Sequence, residues 1–129
     1  MRSIVVLTTV AEYDLLEHDV TTDLLQKFYG KPRAEWDEAL LDAGQSEAVK
    51  HAVVKSAATR TIEIDREEDI VYVTYAVSVE IDCDTGTMDY FGTSVDEIVR
   101  DGCHVDFPID QDLVEMVSED TKTSSIPAG

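Results

Sequence analysis

The residues best equipped for chemistry are Asp82-Cys83-Asp84-Thr85-Gly86-Thr87-Met88-Asp89, where three carboxylates and a thiol surround a glycine turn at the end of a strand-like segment. Carboxylates gathered on a turn offer the several oxygen ligands that a hard cation requires. The stretch is shorter than an EF-hand loop and has no closing glutamate. An acidic hairpin turn with its charges in water accounts for the same residues. We therefore expect no metal and no cofactor here, and keep a divalent-cation-binding or enzymatic domain centred on Asp82, Asp84 and Asp89 as the alternative.

Asp82-Cys83-Asp84-Thr85-Gly86 also resembles the Asp-x-Asp-x-Thr nucleophile motif of the haloacid dehalogenase family, which implies phosphatase chemistry. Gly86 stands where that motif has threonine, and the stretch lies two thirds along the chain instead of on a first strand. His18, His51, His104, Cys83 and Cys103 lack the close pairing of zinc ligands. Cys103 and His104 are neighbours, which on a strand point to opposite faces. No catalytic motif emerges, so the chain reads as a binding protein in preference to an enzyme.

Charge is the stronger signal. The formal net charge of the 129 residues is −18. Residues 1–60 hold ten Asp/Glu and seven Lys/Arg, whereas residues 61–129 hold eighteen and three. Such a field repels nucleic acid and anionic membranes and attracts basic partners, more weakly as salt rises. The expectation is a small acidic, non-catalytic protein that binds a basic protein surface through Glu67, Glu68, Asp69, Glu80, Asp82, Asp84 and Asp89. In its narrowest form it imitates the phosphate spacing of a nucleic acid and blocks a nucleic-acid-binding enzyme, as phage-encoded anti-defence proteins do. The alternative is a salt-adapted, halophilic-type surface, for which sixteen Asp against five Lys is ordinary. Direct nucleic-acid binding and membrane insertion are not expected, and two cysteines suit a reducing, cytoplasmic setting.

The elements that must position these charges centre on residues 60–82, which alternate apolar and polar residues as a long hairpin. Ile62 and Ile64 on its first arm share a face, as do Val71, Val73, Tyr75, Val77, Val79 and Ile81 on its second. Glu67-Glu68-Asp69 is the connection. Ile4, Val5, Val6, Thr8, Thr9 and Val10 make a β-branched first strand suited to a central position. Residues 11–20 read as a weak helix or loop. Helices are expected at 22–29, capped by Thr21 or Thr22, at 33–43, where Trp36, Ala39, Leu40 and Ala43 recur at helical spacing, and at 46–58. Ser94-Val95-Asp96-Glu97 has the form of a capping box opening another short helix. Further short strands are expected near 88–91 and 105–109, and a last helical turn through 113–117.

The fold class is thus α+β: an antiparallel sheet of about four to five strands centred on the 60–82 hairpin, with helices on one face. Trp36, Leu40, Val49 and Val53 should meet Val73, Tyr75, Val77 and Val79. Residues 1–117 form one domain and 118–129 a flexible tail.

Overall fold

The computed structural model describes residues 2–83, 94–106 and 112–128. Asp84, Asp89, the segment near 88–91 and residues 107–111 lie outside the described residues. The described chain is mostly antiparallel sheet, 60% strand and 22% helix, a mixed α+β composition.

Strand β1 (Arg2–Leu15) buries alternate side chains, among them Val5, Leu7, Thr9, Ala11 and Tyr13. It continues through residues 11–15, the first half of the stretch expected to be helix or loop, because Ala11 and Tyr13 extend the two-residue period of the strand, and 16–20 form a connection. Helix α1 (Thr22–Tyr29) starts where the Thr21 hydroxyl accepts a hydrogen bond from the Leu24 amide at 3.2 Å. Short strand β2 (Arg33–Trp36) follows, then a 3-10 turn (Glu38–Leu40) and helix α2 (Ala43–Ala48). The long hairpin is β3 (Val49–Asp65) and β4 (Ile70–Cys83). Helix α3 (Val95–Gly102) leads into β5 (Cys103–Asp106), and β6 (Val114–Pro127) ends the fold.

The main sheet runs β3-β4-β1-β6, antiparallel throughout, and β2 pairs with β5 in a separate two-stranded sheet. One face of the main sheet supplies the core: Val71, Val73, Val77, Val79 and Ile81 of β4 beside Val5, Leu7, Ala11 and Tyr13 of β1. Leu25 and Tyr29 of α1 and Ile98 and Val99 of α3 complete the cluster. The Tyr13 and Tyr29 rings lie 5.3 Å apart at 47°, a tilted aromatic pair, and the Thr59 hydroxyl donates to the Tyr29 carbonyl.

Several sequence expectations are corrected. No helix spans 33–43. Asp37 and Asp42 are both extended and each starts a new turn, Asp37 by accepting from the Ala39 amide and Asp42 through a capping box with Gln45. Trp36 is drawn into a strand opposite Cys103 instead. The expected helix at 46–58 is also strand: after α2, β3 begins at Val49 and pairs with β4 along its whole length. Leu40 and Val53 are exposed and do not join the core, whereas Trp36 and Val49 pack at its margin. Residues 118–127 are no tail, and no helical turn occupies 114–117, because β6 is hydrogen-bonded along β1 from Leu15↔Val114 to Ser3↔Pro127. Backbone pairing holds this strand with almost no side-chain burial, which is why its polar composition looks like a frayed end.

The pairing of β3 with β4 is irregular in a regular way. The register shifts between Val49 and His51, between Val54 and Ser56, and between Thr59 and Thr61. The extra residue is Lys50, then Lys55, then Arg60, so each bulge carries a basic side chain. Seventeen residues of β3 thereby lie along fourteen of β4. Bulges and edge charges are two ways of keeping a free strand edge from pairing with another chain.

Candidate functional site

The seven carboxylates expected to bind a partner do not form one surface. Glu67, Glu68 and Asp69 occupy the β3–β4 turn, whereas Glu80 and Asp82 sit at the far end of β4. At about 3.3 Å per residue these ends are roughly 40 Å apart. Asp84 and Asp89 lie outside the described residues.

The Glu80–Asp82 end is a place of mixed charge. The Glu80 carboxylate lies 3.2 Å from Lys55 Nζ and 3.9 Å from Arg2 Nη1. Asp82 pairs in register with Arg2 on one side and His51 on the other. Its carboxyl is held below the usual range, first by a hydrogen bond to the N-terminal amine and then, against some desolvation, by the charges of that amine, Lys50 and Arg2. These carboxylates already have cationic neighbours within the chain.

The turn end differs. The Asp65 side chain accepts from the Glu67 and Glu68 amides at 3.1 and 3.2 Å, closing the turn locally. Asp69 adopts a left-handed conformation with φ of 54°, one of the few that aspartate tolerates. Its carbonyl accepts from the Leu15 amide at 2.8 Å, and its carboxylate lies 3.7 Å from His18 Nδ1. Arg66 spans to the 16–20 connection, donating to the Val20 carbonyl at 2.7 Å and the His18 carbonyl at 3.2 Å. The turn is thus fixed against the segment that follows β1.

That docking brings together acids that are distant in sequence. On the sheet face opposite the core, Glu63 of β3, Tyr72 of β4, Glu12 of β1 and Ser118 of β6 stand side by side. The next row is Asp65, Ile70, Asp14 and Glu115. Tyr72 reports the crowding: partial desolvation, a hydrogen bond and charge from Glu12, and the charges of Asp65 and Glu68 all raise its hydroxyl pKa. Segments 12–19, 63–72 and 112–119 meet at this end and hold twelve carboxylates, of which Glu119 turns to the core side and accepts from Tyr75; their basic residues are His18 and Arg66, the latter committed to backbone carbonyls. No protein-family model matches the chain, and no curated protein or solved structure does so either.

Glu12 and Asp14 of β1 were not singled out from the sequence as partner-facing. The signal that finds them is register: once β1, β4 and β6 are aligned, the polar positions of all three ends fall side by side on strands about 4.8 Å apart.

Two cavities accompany these surfaces. One, of about 180 Å³, lies between the core face of β1, β4 and β6 and the α3–β5 junction, lined in part by Tyr75, Arg100, Cys103 and Glu119. Tyr75 donates to Glu119 at 2.8 Å across its floor, and burial pushes the Cys103 thiol up. The second, of about 240 Å³, is a charged groove of Arg33, Glu35, His104 and Asp106 on the small sheet. Among the described residues, no three of His, Cys, Asp and Glu are placed to share a metal ion. No helix among the described residues is long and apolar enough to cross a membrane.

Proposed function

We propose that the protein is a non-catalytic binder of a basic protein surface, and that the surface it presents is the acidic end of the sheet rather than the length of the hairpin. The single observation behind this reading is the convergence of carboxylates from β1, the β3–β4 turn and β6 around Tyr72. Strands held in register fix the spacing of those charges, so little side-chain order is lost on binding beyond the carboxylates themselves. Tyr72 adds an aromatic face on which an arginine or lysine can rest while its charge meets Glu12, Glu63 or Glu68. A nucleic-acid-binding enzyme is one partner of suitable charge, and inhibition by occupying its cationic channel is the narrower form of the same proposal.

The test is a pull-down from host extract at low and high salt, followed by binding of the captured partner to two charge-reversal variants. Glu12→Lys combined with Glu68→Lys should abolish capture with circular dichroism unchanged, while Glu80→Lys at the other end should leave capture intact. Capture that is indifferent to salt and to the first variant removes the proposal. Salt adaptation predicts instead a fold that loosens in dilute buffer whichever end is altered.

A further inference from the structure

The two edges of the main sheet are not alike. The β3 edge is interrupted by three basic bulges. On the β6 edge, residues 118–127 pair with Glu12 through Ser3 of β1 without a break, and β6 has no second strand neighbour among the described residues. Of its fourteen residues, only Val114 is buried. A long regular edge with free backbone donors and acceptors is a template for another strand.

We propose that this edge pairs with the same edge of a second copy, antiparallel, about a twofold axis at Thr121. In that register residue 120 faces residue 122 of the other copy, so Asp120 meets Lys122 twice on the sheet face opposite the core. Ser118 faces Ser124 on the same side of the sheet. Thr121 faces itself on the core side, and a threonine pair is a favourable cross-strand match. Lys122 is the single basic residue of β6, and it sits one residue from the axis, which places it opposite Asp120 instead of opposite itself. Antiparallel pairing also sends the two acidic ends to opposite extremes of an eight-stranded sheet. That arrangement keeps two chains of charge −18 from confronting each other where their carboxylates are densest. The interface is isologous, closed by one twofold operation.

The experiment is sedimentation equilibrium of the full chain from micromolar to millimolar concentration, with hydrogen exchange of the 118–124 amides. The native chain should form a dimer, with protection of these amides rising with concentration. Asp120→Lys and Lys122→Glu, each alone, place like charges opposite each other twice and should weaken the dimer about tenfold or more. The double variant Asp120→Lys/Lys122→Glu restores both pairs and should return affinity to near the native value. Because both side chains are exposed, the single variants should keep the native circular dichroism and melting. A chain that stays monomeric throughout, or a dimer indifferent to the single reversals, overturns the proposal. A β6 edge that pairs only with an added extended peptide overturns it in favour of a foreign strand.

Discussion

The indole of Trp36 lies directly over Gly102: a methyl group on that glycine would come within 2.6 Å of the ring carbon Cη2 and 2.9 Å of Cζ2 and Cζ3. This contact joins β2 to the end of α3, and the Asp37 amide donates to the Gly102 carbonyl at 2.8 Å beside it. Gly102→Ala should therefore displace the ring and destabilise the fold by about 1–3 kcal/mol, despite alanine's better helix propensity. Denaturant unfolding, read through the fluorescence of the one tryptophan, measures it. Unchanged stability with an unshifted emission maximum would show that the ring does not rest on this glycine.

Arg66 links the hairpin turn to the 16–20 connection through two backbone carbonyls, one belonging to the buried Val20. Arg66→Ala leaves that carbonyl without its charged donor and should cost about 1–3 kcal/mol. Lysine cannot span both acceptors in the guanidinium's geometry, so Arg66→Lys should recover only part of the loss. Chemical denaturation of the two variants, with amide exchange at residues 65–70, separates local loosening of the turn from global destabilisation.

The bulges make a prediction about deletions. Lys55 is the extra residue between Val54↔Val79 and Ser56↔Ser78, so removing it leaves both pairs able to form a regular ladder. The deletion loses the Lys55–Glu80 ion pair, partly exposed and worth under about 1 kcal/mol. The shortened chain should fold. Deleting Ala57, two residues on, sends every following side chain of β3 to the wrong face up to the next bulge and should leave the chain largely unfolded. Circular dichroism of the two deletions gives the answer, and equal damage from both would refute the register.

Alkaline stability follows from three buried tyrosines. Burial raises the hydroxyl pKa of Tyr13, Tyr29 and Tyr75, with the Glu119 hydrogen bond and charge adding to the effect at Tyr75. A folded pKa above the unfolded one gives a stabilisation that is complete below the unfolded tyrosine pKa, about 10. It is lost as pH rises from there through the folded values. The melting temperature should hold up to that point and then fall, and tyrosinate absorbance should appear in step with unfolding. Tyr75→Phe should flatten the decline. Full ionisation of all five tyrosines in a chain that stays folded would contradict the burial.

The legible part of the fold was the part that keeps a two-residue period. The core face of β4, from Val71 to Ile81, follows from such alternation, and the central place of β1 from its β-branched, near-continuous apolarity. Thr21 and Ser94 marked the starts of α1 and α3 because a capping hydroxyl is a local signal. β3 was misread for a reason visible in its register. Its core-facing residues, Val49, Ala52, Val54, Ala57, Thr59, Ile62 and Ile64, are spaced three, two, three, two, three, two. Steps of three make a bulged strand resemble an amphipathic helix when partner and register are unknown. The acidic turn was identified, but its companions on β1 were not, because only strand pairing across more than a hundred residues brings Glu12 beside Ser118. β6 gave no periodic signal: apart from Val114 and a few side-chain hydrogen bonds such as Tyr75–Glu119 and Thr9–Thr121, it is held by backbone hydrogen bonds, which any polar sequence can make.

The bulges of β3 recur every five residues against every four of β4, so the two arms of the hairpin work like the scales of a vernier. Each five-against-four unit returns to the same facing, with apolar side chains inward and one basic residue to spare. The hairpin can therefore be lengthened or shortened in whole units, five residues from one arm and four from the other, without turning any side chain over.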